Sequence, residues 1–312
     1  MSSPVSDASR PQLLKQLWRD RYIYLLLLPT LSLLALYTIW PIMVSIYFSL
    51  LDWSGFEAAG RFVGLANYQE LFGDRLFWNA FKNTFIFLVL AVPIRVLLAL
   101  VLAIILNQAI PFARVFRTAI FLPVVTTAAI LGVVMRFVLD PTSGPINLAL
   151  LQSGLLTQPL NFLGQAGLAL YTAVGVWVWK WLGITLIYWL AALQTVPNDL
   201  YEAAQLDGAS AFRQFTHITL PLLTPFTIII TLITVVEATN VFDLLLTLTN
   251  GGPFYATEVI DIYVYRQAFA SNVPRLGYAS AAALFFGVCI IAISAVQMGL
   301  IALVRRRTVE AS

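Results

Sequence analysis

The segment Glu202–Pro221 reads EAAQLDGASAFRQFTHITLP, a short polar island between two strongly apolar stretches. Pro197, Asn198 and Asp199 precede it and supply a helix start, with Asn198 or Asp199 able to accept from the first backbone amides. A short helix over 200–206 then breaks at Asp207-Gly208, because glycine readily takes positive φ. A second short helix carries Phe212, Phe215 and Ile218, and Pro221 ends it where the next apolar stretch begins. Two short helices meeting at a glycine and fixed to the ends of membrane spans make a stiff lever. Apolar residues on such a lever imply a receiving groove on a partner protein, or an amphipathic loop lying on the membrane. These residues alone leave both open.

The surroundings of the island set the class. The chain has 312 residues, 60% hydrophobic and 11% charged, with mean hydropathy +0.86. A soluble domain averages about 25% charged residues, so a chain this apolar needs lipid as its solvent. The net charge of +3 is no nucleic-acid footprint and matters through its placement across loops. One cysteine, Cys289, excludes an internal disulfide, and one histidine, His217, excludes a histidine cluster. No metal site is expected. Lys15, Lys82 and Lys180 are the only lysines and none follows a glycine, so the chain has no phosphate-binding loop with which to hydrolyse ATP.

A membrane-spanning helix needs about 20 mostly apolar residues. Six stretches qualify, roughly 23–50, 84–106, 117–139, 168–193, 222–248 and 279–304. The predicted fold is therefore an all-α membrane protein of six transmembrane helices. It comprises a tail over 1–22, a membrane domain over 23–304 that contains the loop 197–221, and a tail over 305–312. The segment Arg10–Tyr22 alternates basic and apolar residues, and reads either as a piece lying among lipid headgroups or as a frayed tail. With the N-terminus inside, the cytoplasmic segments carry Arg10, Lys15, Arg19, Arg21, Arg114, Arg117, Arg213, Arg305, Arg306 and Arg307. The other side carries Arg61, Arg75, Lys82, Arg266 and Arg275. That bias predicts both termini, and the island, in the cytoplasm. The outer loops, roughly 51–83, 140–167 and 249–278, are rich in Gly, Pro and aromatics and long enough to receive an outside partner.

Five ionisable residues fall inside the predicted spans: Arg95, Arg136, Lys180, Glu237 and Asp243. An unpaired charge at a helix centre costs about 2.5–3.5 kcal/mol on insertion scales, so each should face protein or a water-filled cavity. Lys180 and Glu237 lie near mid-span in adjacent helices of opposite direction, so their depths can match. They read either as a buried ion pair or as groups on a translocation pathway. Val176–Gly183, VWVWKWLG, places Trp177, Trp179 and Trp181 beside Lys180 and Gly183. Aromatic faces stack on the C–H faces of sugars, yet tryptophans two apart on a helix point in different directions and cannot all line one cavity. A membrane enzyme would need a Ser/His or paired-carboxylate constellation, which these scattered acids do not offer.

Glu202-Ala203-Ala204, then Gly208, then Ile218, Leu220 and Pro221 resemble the EAA motif of ABC-importer permeases. Phe62–Phe72, FVGLANYQELF, is similar to the first outer loop of carbohydrate-type permeases, and Arg114–Pro123, RVFRTAIFLP, resembles the start of the family's core. Leu248–Phe269, LTNGGPFYATEVIDIYVYRQAF, resembles the outer loop of the maltose-type first permease subunit.

The resemblance implies that the island is a coupling helix docking into an ATPase subunit. Glu202, Ala203, Ala204, Asp207 and Gly208 would form its tip and bend, and Phe212, Phe215, Ile218, Leu220 and Pro221 would brace it. It implies a substrate pocket at Trp179, Lys180, Leu182, Gly183, Leu186, Glu237, Asn240 and Val241. It also implies a homologous second permease in a heterodimer, two ATP-binding subunits that carry the ATP and Mg²⁺, and an extracytoplasmic solute-binding protein. The setting would be the inner membrane of a bacterium or archaeon. The expected cargo is a sugar or sugar-like solute; a glycerol phosphate, a polyol or gradient-driven transport are the rival readings.

Overall fold

The structure is a computed structural model that describes residues 21–108 and 110–310. The tail 1–22, with its Arg10–Tyr22 segment, lies almost wholly outside the described residues. The first span is α1 (Arg21–Leu34), a π-helical turn (Ala35–Ile39) and α2 (Trp40–Ser49). A minimal antiparallel hairpin, β1 (Leu51–Asp52) and β2 (Arg61–Phe62), follows. Then come α3 (Ala66–Gly73), α4 (Arg75–Asn107), α5 (Ala113–Val125), α6 (Ala128–Val138), α7 (Pro145–Gln152) and α8 (Ala166–Leu193). The island gives α9 (Asn198–Leu206) and α10 (Ala211–Gln214), and a π turn (Phe215–Thr219) feeds α11 (Leu220–Thr239). The chain closes with α12 (Phe242–Leu248), α13 (Ile260–Tyr265), a π turn (Arg266–Ala270) and α14 (Leu276–Glu310). The all-α membrane class is thus observed, and α14 continues past the expected boundary at 304.

Two of the six expected spans are not straight. The stretch read as 117–139 is α5 and α6, bent by 104° at their junction. Without that pair, five helices among the described residues are long and apolar enough to cross a membrane. The cause is local. Pro123 lies in the last turn of α5, and Thr127 is extended (φ −64°, ψ 147°) with its hydroxyl accepting from the Ile130 amide at 3.4 Å. Proline supplies no amide donor, and a capping threonine starts a new helix rather than prolonging the old one. The stretch read as 222–248 likewise ends its main helix at Thr239. Asn240 turns the chain (φ −104°, ψ 64°), and α12 begins at Phe242.

The long helices α4 and α8 form the centre. Ala91, Ala99, Ala103 and Ala173 are wholly buried between their neighbours, and small residues allow helices to approach closely where lipid offers no hydrophobic drive. Trp189 of α8 fills this interface and donates its indole N–H to the Val96 carbonyl at 3.0 Å. α5 crosses α8 at Gly183, where a Cβ would sit 2.6 Å from Phe121 Cα, so only glycine admits that crossing.

α4 has 33 residues, about 50 Å of helix at 1.5 Å per residue, longer than a hydrocarbon layer of about 30 Å. Its first turns therefore reach beyond the membrane core and organise the connecting loops. Asp74 caps them, accepting from the Leu76 amide at 2.7 Å and from the Tyr263 and Tyr278 hydroxyls at 2.5 and 2.9 Å. Asn83 donates to the Glu258 carbonyl at 3.0 Å, and the Thr84 hydroxyl accepts from the Ile260 amide at 3.0 Å. One carboxylate and two short polar side chains thus fix the 249–278 loop onto α4.

Candidate functional site

The island folds as two helices meeting at Gly208, as the sequence predicts. Neither Asn198 nor Asp199 caps α9, however, whose N-cap Pro197 carries no side-chain hydrogen bond. Nor does Pro221 end the second helix, which continues through the π turn and α11 to Thr239. α9 ends in a Schellman closure: the Ala209 amide reaches the Ala204 carbonyl at 2.9 Å and the Gly208 amide reaches Gln205 at 3.0 Å. Gly208 holds φ +74°, a conformation glycine adopts without the penalty of a side chain. Ser210 then caps α10, its hydroxyl accepting from the Arg213 amide at 3.4 Å. A Tyr201–Thr219 hydroxyl contact at 2.8 Å ties α9 to the turn that feeds α11, and the Gln214 side-chain amide donating to the Ala209 carbonyl at 3.0 Å braces the turn between the two arms.

Glu202, Ala203, Asp207 and Gly208 are exposed, as are Leu220 and Pro221, while Ala204, Phe215 and Ile218 are half-buried. Leu206 is 90% exposed and Phe212 77% exposed, the most solvent-directed apolar side chains of the island. Leu206 is the member of this apolar tip that the sequence reading omitted, because motif matching favoured the EAA positions over an unspecific leucine.

The expected pocket residues are distributed over several surfaces. Trp179 is half exposed and shares an apolar groove with Leu182, Tyr171 and the α4 residues Leu90, Ile94 and Leu98. Leu182, Leu186 and Val241 are buried in the chain's own core, and Gly183 faces α5. Asn240 is exposed at the broken end of α11. The three tryptophans diverge as their spacing requires: Trp177 is buried against Phe87, Trp179 faces out, and Trp181 lies under the Lys180 ammonium at 4.5 Å.

The reading of Lys180 and Glu237 as a mutual pair is corrected. Lys180, buried, donates its ammonium to the Pro123 carbonyl at 3.4 Å and to the Thr126 carbonyl. Pro123 lies in the last turn of α5 and also accepts the Thr126 amide at 3.3 Å, and Thr126 is the C-cap of that helix, so the ammonium sits at its C-terminal end. A cation at a helix C-terminus complements the dipole. Glu237 instead meets Arg95, its Oε2 lying 2.6 Å from Nη1 with side-chain exposures of 30% and 0%. The contact is an ion pair without hydrogen-bond alignment, and the Arg95 Nε and Nη2 donors lack hydrogen-bond partners in the described chain. The guanidinium also lies over the Trp177 ring at 4.9 Å. Arg95 was visible in the sequence as a mid-span cation. Glu237, the other deep acid, was the signal that could have matched it.

Outside the spans, four donors from Thr142 and Ser143 hold the exposed Asp140 carboxyl down to about 2. Burial pushes Glu258 up to about 7 against the pull of Arg266, 3.0 Å away. Burial also raises Asp261 to about 6, offset in part by a hydrogen bond from the Val241 backbone. Among the described residues no three His, Cys, Asp or Glu side chains are grouped to hold a metal.

These features define a multi-pass membrane subunit with charges committed to helix breaks and a stiff two-helix projection between spans, a transport component in its design. The chain belongs to the family of binding-protein-dependent transport system inner membrane components, whose model matches residues 18–310. It is 34% identical over 277 residues, 88% of this chain and 94% of the relative, to a probable ABC transporter permease protein, YurN, of Bacillus subtilis (strain 168). It is 32% identical over 262 residues, 82% of this chain and 86% of the relative, to the lactose transport system permease protein LacF of Rhizobium radiobacter. Among solved structures it resembles a chain of a bacterial alginate ABC transporter in complex with an alginate pentasaccharide-bound periplasmic protein. The TM-score is 0.77 at 26% identity, covering 92% of this chain and 96% of that one.

Proposed function

We propose that this chain is one membrane-spanning subunit of an ATP-binding-cassette importer for a sugar or sugar-like solute. The observation that carries the reading is the glycine-closed, exposed lever at 198–219, whose Leu206 and Phe212 protrude from a chain of this family. An apolar tip held on two short helices fits a groove on an ATPase subunit, where ATP and Mg²⁺ would reside. Closure of that motor around ATP would pull the lever and turn the cavity outward. A periplasmic binding protein would then deliver solute to the outer loops, as the partner named for the alginate transporter suggests. A homologous second permease would complete the pathway. The names of the lactose and alginate relatives support a saccharide, while the glycerol-phosphate alternative has its own support in relatives named as sn-glycerol-3-phosphate permeases, 33% identical over 79% of this chain. A gradient-driven switch built on Lys180 and Glu237 loses its physical basis, since each has a different partner.

The test is cross-linking from Ala203→Cys in membranes containing the neighbouring subunits. The expected product joins this chain to an ATP-hydrolysing subunit, and only from the cytoplasmic face. Capture of none, or labelling of that cysteine by an impermeant outside reagent, overturns the reading.

A further inference from the structure

α5 and α8 touch at Gly183, and on the island side of that crossing they leave a cleft of about 500 Å³ between them. Its walls change character along their length. Farthest from the crossing stand Arg117 and Thr118 on α5 and Gln194 at the C-cap of α8. Nearer to it the lining is Phe121, Ile187 and Leu190. Ile187 and Gln194 share one stripe of α8, about 10 Å apart along the axis. Both helices therefore put their polar end at the cleft mouth and their apolar part at its floor, a match for an amphiphile. Arg117 is the charge of the cleft, and no acid lines it. Its Nη2 donates to the Leu106 carbonyl at 2.5 Å, in the last turn of α4. Its Nε is buried without a hydrogen-bond partner, and no carboxylate pairs with the guanidinium among the described residues. A half-buried guanidinium with five donors is thus short of acceptors, and partial burial leaves its charge less screened. Thr118 donates its hydroxyl to the Arg114 carbonyl at 2.9 Å and offers no donor to a ligand. The Gln194 side chain is exposed and makes no hydrogen bond among the described residues, so both its N–H donors are open.

We infer that this cleft binds an anionic phospholipid, with its phosphate against Arg117 and Gln194 and an acyl chain along Phe121, Ile187 and Leu190. The island side of the membrane is the cytoplasmic side on the importer reading, and the choice of leaflet rests on that reading. The cytoplasmic leaflet is the one that carries anionic lipid, and a basic pocket between membrane helices on that side suits its headgroup. A guanidinium meets a phosphate through charge-assisted N–H···O bonds. A zwitterionic headgroup presents the same phosphate but brings an ammonium to a cleft that contains a cation and no acid. A free phosphate makes the charge contact and leaves the apolar floor uncovered. Arg117 already bridges α5 to the end of α4, so a phosphate on the same guanidinium stiffens the connection between these helices.

The experiment uses the complete transporter purified in an uncharged detergent, with bound lipid counted by native mass spectrometry. Phosphatidylglycerol, phosphatidylcholine and inorganic phosphate are titrated separately. At matched lipid concentration the wild type is expected to keep one phosphatidylglycerol that Arg117→Gln loses, through an affinity about fivefold lower. Phosphatidylcholine should not take that place, and inorganic phosphate should not displace the lipid. Arg117→Lys should retain it. Arg114→Gln removes an equal charge one turn away, outside the cleft, and should leave the count unchanged. Gln194→Glu puts a carboxylate at the cleft mouth and should weaken phosphatidylglycerol while sparing phosphatidylcholine; it decides the matter if the Arg117 variants fail to assemble. An unchanged count in Arg117→Gln or, in its place, in Gln194→Glu overturns the inference. So do equal losses in Arg114→Gln and Arg117→Gln, replacement by phosphatidylcholine, or displacement by inorganic phosphate. The ATPase subunit is read separately in the same spectra. Its absence sinks the importer reading, while its presence with no phosphatidylglycerol lost sinks only the lipid site.

Discussion

Lys180 shows how a single charge can be structural where its position suggests chemistry. Its ammonium reaches the Thr126 carbonyl at the C-cap of α5 and shares the Pro123 carbonyl with the Thr126 amide, and an unsatisfied buried acceptor costs about 1–3 kcal/mol. Lys180→Met should therefore lower the thermal unfolding midpoint of the detergent-purified subunit while leaving solute affinity of the assembled transporter unchanged. A change in affinity without a change in midpoint would return Lys180 to the pocket. Glu258 and Asp261 make a second prediction, on pH. Burial raises both carboxyls, from 4.5 to about 7 and from 3.8 to about 6, so the folded chain holds their protons more tightly than the unfolded one. The stability these groups contribute is fully present only below about pH 4 and is lost as pH rises from there through about 6 to 7. The unfolding midpoint should be higher at pH 5.5 than at pH 8, and Glu258→Gln should flatten that slope. At this scale the sequence announced which side chains were costly but not their partners. The need for a charge partner is local, whereas the distance from Lys180 to Pro123 is decided by a bend that one proline and one threonine create together.

The lever is the element most legible from sequence. Its turn is carried by the adjacent Asp207-Gly208, which the sequence marks, whereas neither the Ser210 cap nor the run of the second helix through Pro221 into α11 was read from it. Gly208→Val forces a β-branched residue into φ +74°, a strain of about 1–2 kcal/mol. The variant should insert normally yet hydrolyse ATP without solute uptake, measured in vesicles carrying the full transporter; unchanged uptake would remove the lever idea. Leu206→Asp should weaken capture of the ATPase subunit by pull-down, because a fully exposed leucine contributes only when a partner covers it. Broken elements were less legible. Both discontinuous spans were read as single helices, since hydropathy averages over windows longer than the break. Pro123 marked the first break, and Asn240, a polar residue that favours helix ends, marked the second, but a window of average hydropathy gives one such residue little weight.

For the whole molecule, the packing order differs from the chain order. The first span contributes none of its apolar window to the chain's own core, whereas two thirds of the α8 window is buried there. The later span is thus the hub, and α5 docks on it at Gly183. Neither half of the bent pair can cross alone: α5 has 13 residues and α6 has 11, about 20 and 17 Å of helix against a layer of about 30 Å. During synthesis the ribosome delivers that pair well before Lys180, the side chain that meets the carbonyls at its break. The third crossing is therefore provisional when it first leaves the translocon, and becomes permanent once the fourth arrives. Nascent chains truncated near residue 165 should show mixed topology by reporter-site mapping, and chains truncated near 200 a single one.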